Sequence, residues 1–150
     1  MNKYDEVKER HQKRVNDFPM KFAFSDEQFN KGMEELGLKP TDTDKVYSIG
    51  GGGFIRKTDV EKFSKMWDEL RKEHNDLIKA DKTGEGYIKD MFVSELENHE
   101  YGYTYELEDT LDALELTMDQ INNSPTLKHG LELARKEVLK KDNEVNHEYE

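Results

Sequence analysis

Three short stretches carry side chains and backbone arranged as in known ligand-binding motifs. The first is Gly50 to Gly53, followed by Arg56, Lys57 and Thr58. A phosphate loop needs glycines whose backbone N–H groups approach phosphate, then Lys and Ser/Thr at a helix start. The run Gly51-x4-Arg56-Lys57-Thr58 meets that spacing except at Arg56, which stands where the motif has its second glycine. A residue with a side chain does not readily make that turn. Phe54 and Ile55 are strand-like, so the glycines are expected to tip a hairpin rather than cradle a nucleotide.

The second stretch, Asp81 to Ile88, places Asp81, Thr83, Glu85, Gly86 and Ile88 at positions 1, 3, 5, 6 and 8 of an EF-hand calcium loop. It departs from that loop at position 9, where Lys89 opposes a cation, and at position 12, where Phe92 replaces the bidentate Glu. A helix-to-helix connector is the expectation. The third stretch holds Glu95 and His99, an i, i+4 pair on one helix face, with Glu100 beside them. Two ligands do not make a metal site. Gly51, Gly52, Gly53, Arg56, Lys57 and His99 together form the candidate set for a small-ligand or metal-binding alternative.

Charge offers a different kind of candidate. Residues 89–120 carry ten acids against one base, Lys89, and account for nearly all of the net charge of −11. Like charges held close repel, so folding alone gives no reason to collect them. Glu95, Glu97, Glu100, Glu106, Glu108, Asp109, Asp112, Glu115 and Asp119 are therefore the candidate partner-binding residues, and the partner they suit is a protein with a basic surface. The same field repels nucleic acid, so direct DNA or RNA binding is not expected. A solvated face that aids solubility is the plainer explanation of these acids.

Local signals mark the helices and strands on which these stretches sit. A narrow apolar stripe (Tyr4, Val7, His11, Val15, Phe18) predicts a short helix stopped by Pro19. A strand over 21–24 leads into Ser25-x-x-Gln28, a capping box with Phe24 and Phe29 at staple positions, and that helix ends at Gly37. VYSI and FIRK flank the glycines as hairpin strands. Thr58-x-x-Glu61 is a second capping box, opening a long helix with Val60, Phe63, Trp67, Leu70, His74 and Leu77 on its inner face. A helix from about Ile88 to His99 follows, then EYGYTYE as a loop or edge strand. Leu107, Leu111 and Leu114 recur at helical spacing. Thr117-x-x-Gln120 is a third box, and Ser124-Pro125 opens a last helix that fades near Lys141.

These signals predict a helix-rich α+β single domain, with four to six helices packed on a small antiparallel sheet that contains the glycine-tipped hairpin. The expected organisation is an N-terminal extension over 1–19, a globular domain over 20–141 and a disordered acidic tail over 142–150. Hydrophobic residues make up 33% and charged residues 38%, so the core must be thin. With no cysteine, disulfides, thiolate zinc sites and a cysteine nucleophile are excluded. No signal-peptide or membrane-spanning run is evident, which suits a cytoplasmic protein. No cofactor is implied, and no catalytic carboxylate pair stands out among 34 acids.

The strings MKFAFS (Met20 to Ser25), YSIGGGGFIRKTD (Tyr47 to Asp59) and ELENHEYGYTYELEDTLDAL (Glu95 to Leu114) resemble a family of short uncharacterised proteins carried by phages and mobile elements of Gram-positive bacteria. The resemblance covers about residues 20–140 and marks Met20 as an alternative start. It implies a bacterial host cell but no activity. By analogy with small acidic phage proteins that occupy the nucleic-acid-binding surfaces of restriction or CRISPR enzymes, it suggests a non-enzymatic, anti-defence inhibitor.

Overall fold

The structure, a computed structural model, describes the backbone of residues 2–148 and the side chains of residues 2–144. It is helix-rich α+β, with eight α-helices among the described residues and one three-stranded antiparallel sheet. The chain forms two compact units, Met1–Glu9 with Glu73–Glu150, and Arg10–Lys72.

The unit of residues 10–72 holds the sheet. Strands β1 (Lys21–Phe22), β2 (Val46–Gly50) and β3 (Gly53–Arg56) lie in the order β1-β3-β2, with Lys21 opposite Phe54 and Val46 opposite Arg56. The β2–β3 turn is Gly51-Gly52, both at positive φ, as a two-residue hairpin turn of the favoured hand requires. Helix α2 (Asp26–Glu35) is capped by the Ser25 hydroxyl, which accepts from the Gln28 N–H, while the Gln28 side chain accepts from the Phe24 N–H. It ends in a Schellman motif: Gly37 at φ 77° donates to Glu34, and Leu38 donates to Met33. Its inner face buries Met33 and Leu36 against Phe54, and Phe29 packs on the same ring.

The other unit is built around α4 (Tyr87–Asn98), which buries Tyr87, Ile88, Met91, Phe92, Val93 and Leu96. That set covers more than one face, so α4 is enclosed by neighbours rather than half-solvated. Its principal neighbour is α8 (Pro125–Glu148), which contributes Leu131, Ala134 and Val138. Three short helices, α5 (Tyr101–Thr104), α6 (Glu108–Ala113) and α7 (Met118–Asn122), add Tyr101, Leu111 and Ile121 to the core. Helices α1 (Lys3–Asn16) and α3 (Val60–Ala80) run through both unit boundaries.

Several expectations change. Tyr4 and Val7 of α1 are core residues of the α4 cluster, so residues 1–19 are not an appendage. Helix α8 continues to Glu148, with Lys141 reaching Glu97 and Asp142 lying against Gly102, instead of giving way over 142–148; residues 149 and 150 lie outside the described ones. EYGYTYE is a helical turn, not a loop or strand, because Glu100 and Tyr105 bracket α5 in left-handed conformations. The Thr58-x-x-Glu61 box does not form: a 3-10 turn, Lys57–Asp59, precedes α3, and Asp59 instead binds Arg56. Trp67 is 37% exposed, because Met66 and Leu70 take the buried positions of α3. Phe24 is 78% exposed, so it does not staple α2.

Candidate acidic partner-binding surface

Eight of the nine candidate acids are solvent-exposed, and the ninth is not. Glu95 is only 3% exposed, because the enclosed helix α4 turns it inward. Lys8 Nζ lies 2.7 Å from its carboxylate, Asn98 donates to the same oxygen at 3.1 Å, and His99 Nε2 stands 3.6 Å from the other. Glu95 therefore fastens α1 to α4 and is removed from the partner-binding set. His99 is its neighbour, and the two remain a pair: among the described residues no group of three or more His, Cys, Asp or Glu converges on a point.

Burial by itself pushes the Glu95 carboxyl up, but Lys8, Asn98 and His99 outweigh it and hold the group below its ordinary value. A carboxyl depressed in the folded state contributes stability above its unfolded pKa of about 4.3, and loses it as pH falls through the folded value. Thermal stability is expected to drop as pH is lowered from 5 to below 4, and Glu95→Gln should lessen that dependence. The check is melting temperature against pH for both chains; parallel curves would remove Glu95 from the account.

Glu97 is neutralised by Lys141 at 3.2 Å. The other seven, Glu100, Glu106, Glu108, Asp109, Asp112, Glu115 and Asp119, are exposed and have no basic side chain within 4 Å among the described residues. Glu108, Asp109 and Asp112 share the outer side of α6, while Thr110 and Leu111 face the core. Two aromatic rings stand in the same segment, Tyr103 at 87% and Tyr105 at 66% exposure. Tyr101 anchors them from below: it is buried, and Arg135 donates to its hydroxyl at 2.7 Å.

Among the described residues, the three non-glycine residues at positive φ, Glu100, Tyr105 and Glu115, also fall in this segment. Glu115 closes α6 in a Schellman geometry, donating to Asp112 while Leu116 donates to Leu111. That position favours glycine, and a side chain there costs roughly 1 kcal/mol. An acid is held in this stretch where folding would prefer none.

The runner-up set is divided between the units. Arg56 is committed to Asp59 at 2.8 Å and to the Leu36 carbonyl, and Lys57 is exposed on the 3-10 turn. Gly52 and Gly53 line an open groove beside the hairpin, whereas Gly51 stands at its tip. The Asp81 loop is a connector: the carboxylate accepts N–H bonds from Thr83, Gly84, Gly86 and Ile88. Burial pushes Asp81 up, but these four amides hold it below its ordinary value. Among the described residues no helix is long and apolar enough to cross a membrane.

Formal charge separates the units as well. Residues 10–72 carry thirteen Lys or Arg against eleven acids, and the remainder carries ten against twenty-three. The model of a family of unknown function, DUF7659, matches residues 3–137. No curated protein and no solved structure matches the chain.

Proposed function

The chain belongs to the DUF7659 family of unknown function, and we propose that it is a non-enzymatic protein that binds a basic surface of a nucleic-acid-handling enzyme in a bacterial host and blocks it. One observation carries this reading: seven exposed acids with no basic partner among the described residues, interleaved with two exposed tyrosines, on α5 to α7. Carboxylates without internal partners are available to Lys and Arg of another protein, and phenol rings add cation–π and stacking contacts to a guanidinium. A surface of this kind competes with the phosphate backbone for the same cations. An origin in a phage or mobile element, and an anti-defence role of the anti-CRISPR or anti-restriction type, belong to this proposal.

The test is capture of partners from a bacterial lysate on immobilised chain, followed by mass spectrometry, at increasing salt and with duplex DNA or RNA as competitor. Expected is a basic nucleic-acid enzyme whose capture falls with salt and with competitor. The fourfold variant Glu106→Lys, Glu108→Lys, Asp109→Lys, Asp112→Lys should keep its helix content and lose the partner, with association slowed by roughly tenfold or more, since steering acts on encounter. A variant that binds as fast and as tightly as wild type would reduce the acids to a solubility device.

A further inference from the structure

A second surface, independent of the acidic one, lies in the unit of residues 10–72, on the sheet face that carries α2. A helix is about 10 Å across and strands are ~4.8 Å apart, so one helix covers about two strands. Helix α2 sits over β1 and β3: a Cβ on Gly32 would stand 2.8 Å from the Phe54 ring and 3.1 Å from the Lys21 Cβ. The strip over β2 is left open, and Val46 and Ser48, on the same face as Phe54, border it.

The result is an open groove of about 610 Å³, within the size range of small-ligand sites. Three rings line it, Phe24, Phe29 and Phe54. Phe29 and Phe54 belong to the core of this unit, with centroids 5.0 Å apart. Phe24 does not: it is 78% exposed and lies over the hairpin, where a Cβ on Gly52 would stand 2.8 Å from its ring. Folding gives no reason to hold this phenyl in water. Ser25, Thr43 and Ser48 are the uncharged polar residues of the lining, and Asp26 is its charged one. Asp26 is exposed and has no basic side chain within 4 Å among the described residues. No Lys, Arg or His among the described residues lines the groove.

We propose that this groove binds a small organic cation of the arylalkylamine class, in which an apolar ring is joined by a short chain to a protonated amine. The ring of the ligand lies against Phe29, Phe54 and Val46, and its ammonium is held by the Phe24 ring and the Asp26 carboxylate. An ammonium over a ring face is drawn by the ring's quadrupole, and a carboxylate accepts its charge-assisted hydrogen bonds. An anion is disfavoured, because Asp26 and Glu27 occupy the first turn of α2 and no lining base offsets them. The glycine run thus borders a site whose charge preference is opposite to that of the phosphate loop it resembles in spacing.

The experiment titrates the full ¹⁵N-labelled chain with phenethylamine to millimolar concentration, and in parallel with its neutral analogue 2-phenylethanol and its anionic analogue 3-phenylpropanoate. Expected are amide shifts confined to residues 23–29, 43–48 and 52–54, with affinity for phenethylamine at least ~10-fold above that for either analogue. Asp26→Asn should remove the preference over 2-phenylethanol, and Phe24→Ala should weaken phenethylamine binding by roughly 3- to 10-fold. Both side chains are exposed, so both variants should melt close to wild type. Glu27→Gln removes a neighbouring charge that does not line the groove and should leave binding unchanged. No shifts at millimolar phenethylamine, or equal affinity for the three compounds, would overturn the proposal. So would an equal loss in Glu27→Gln and Asp26→Asn, which would reduce the effect to attraction of any cation to a chain of net charge −11. Tighter binding of 3-phenylpropanoate would assign the groove to anions at the start of α2 and overturn it as well. The acidic-surface proposal is untouched by any of these outcomes, since its variants lie in the other unit.

Discussion

A chain lacking residues 1–19 is expected to lose the cooperative folding of the α4 unit. Tyr4 and Val7 are 8% and 2% exposed in the cluster formed by α4, α6, α7 and α8. Burial of such side chains contributes about 1.5–3 kcal/mol each, against a total stability of roughly 5–15 kcal/mol for a domain. Tyr4 also meets the rings of His74 and Tyr87 edge-on at 6.1 and 5.9 Å. The truncation further strips Lys8 from the buried Glu95, leaving a desolvated carboxylate without its cation. The measurement is a circular-dichroism melt with dye binding: the truncated chain should retain helix, melt broadly and expose apolar surface. Because truncation also breaks α1, the point variant Val7→Ala supplies a milder test, with an expected loss of about 1–3 kcal/mol. A truncated chain that melts as sharply and at the same temperature as the full one would restore residues 1–19 to the status of an extension.

Gly84→Ala is the single substitution expected to cost most outside the apolar core. Gly84 has φ 84°, and a Cβ there would stand 2.2 Å from the Thr126 carbonyl oxygen and 3.0 Å from its carbon. Both atoms are backbone in the first turn of α8, so no side chain can swing aside. The left-handed conformation alone costs roughly 1–2 kcal/mol with a side chain present. The clash must also displace α8 from the Asp81 loop, where a Cβ on Gly130 would lie 2.7 Å from the Gly84 carbonyl oxygen. A total of about 3 kcal/mol or more is expected, which lowers the melting temperature by roughly 6–12 °C in a chain of this size. Gly37→Ala is the control. It has φ 77° but nothing within 4 Å, so only the conformational cost remains. Equal losses for the two variants would show that the contact with Thr126 is not a constraint.

Features that depend on neighbours a few residues apart are readable from the amino-acid string alone. The Ser25 and Thr117 caps, Ser124-Pro125 at the start of α8, the Gly37 terminus and the glycine turn are all closed by bonds spanning five residues or fewer. Such bonds need only the right residue at the right offset, so they are legible without knowing the fold. The excess of acid over 89–120 was likewise a property of the string.

Which of those acids face water without a basic partner among the described residues depends on long-range packing. Glu95 and Glu97 look no different from Glu106 in sequence, but Lys8 lies 87 residues from the first and Lys141 lies 44 residues from the second. Trp67 departs from the expected inner face for a related reason: helical periodicity names a stripe, and the elements packed on α3 choose which edge of it is covered. The groove is the extreme case. Its walls come from residues 23–29, 43–48 and 52–54, and they converge because β3 lies between β1 and β2, an order that depends on strand pairing across the chain and that no local spacing encodes.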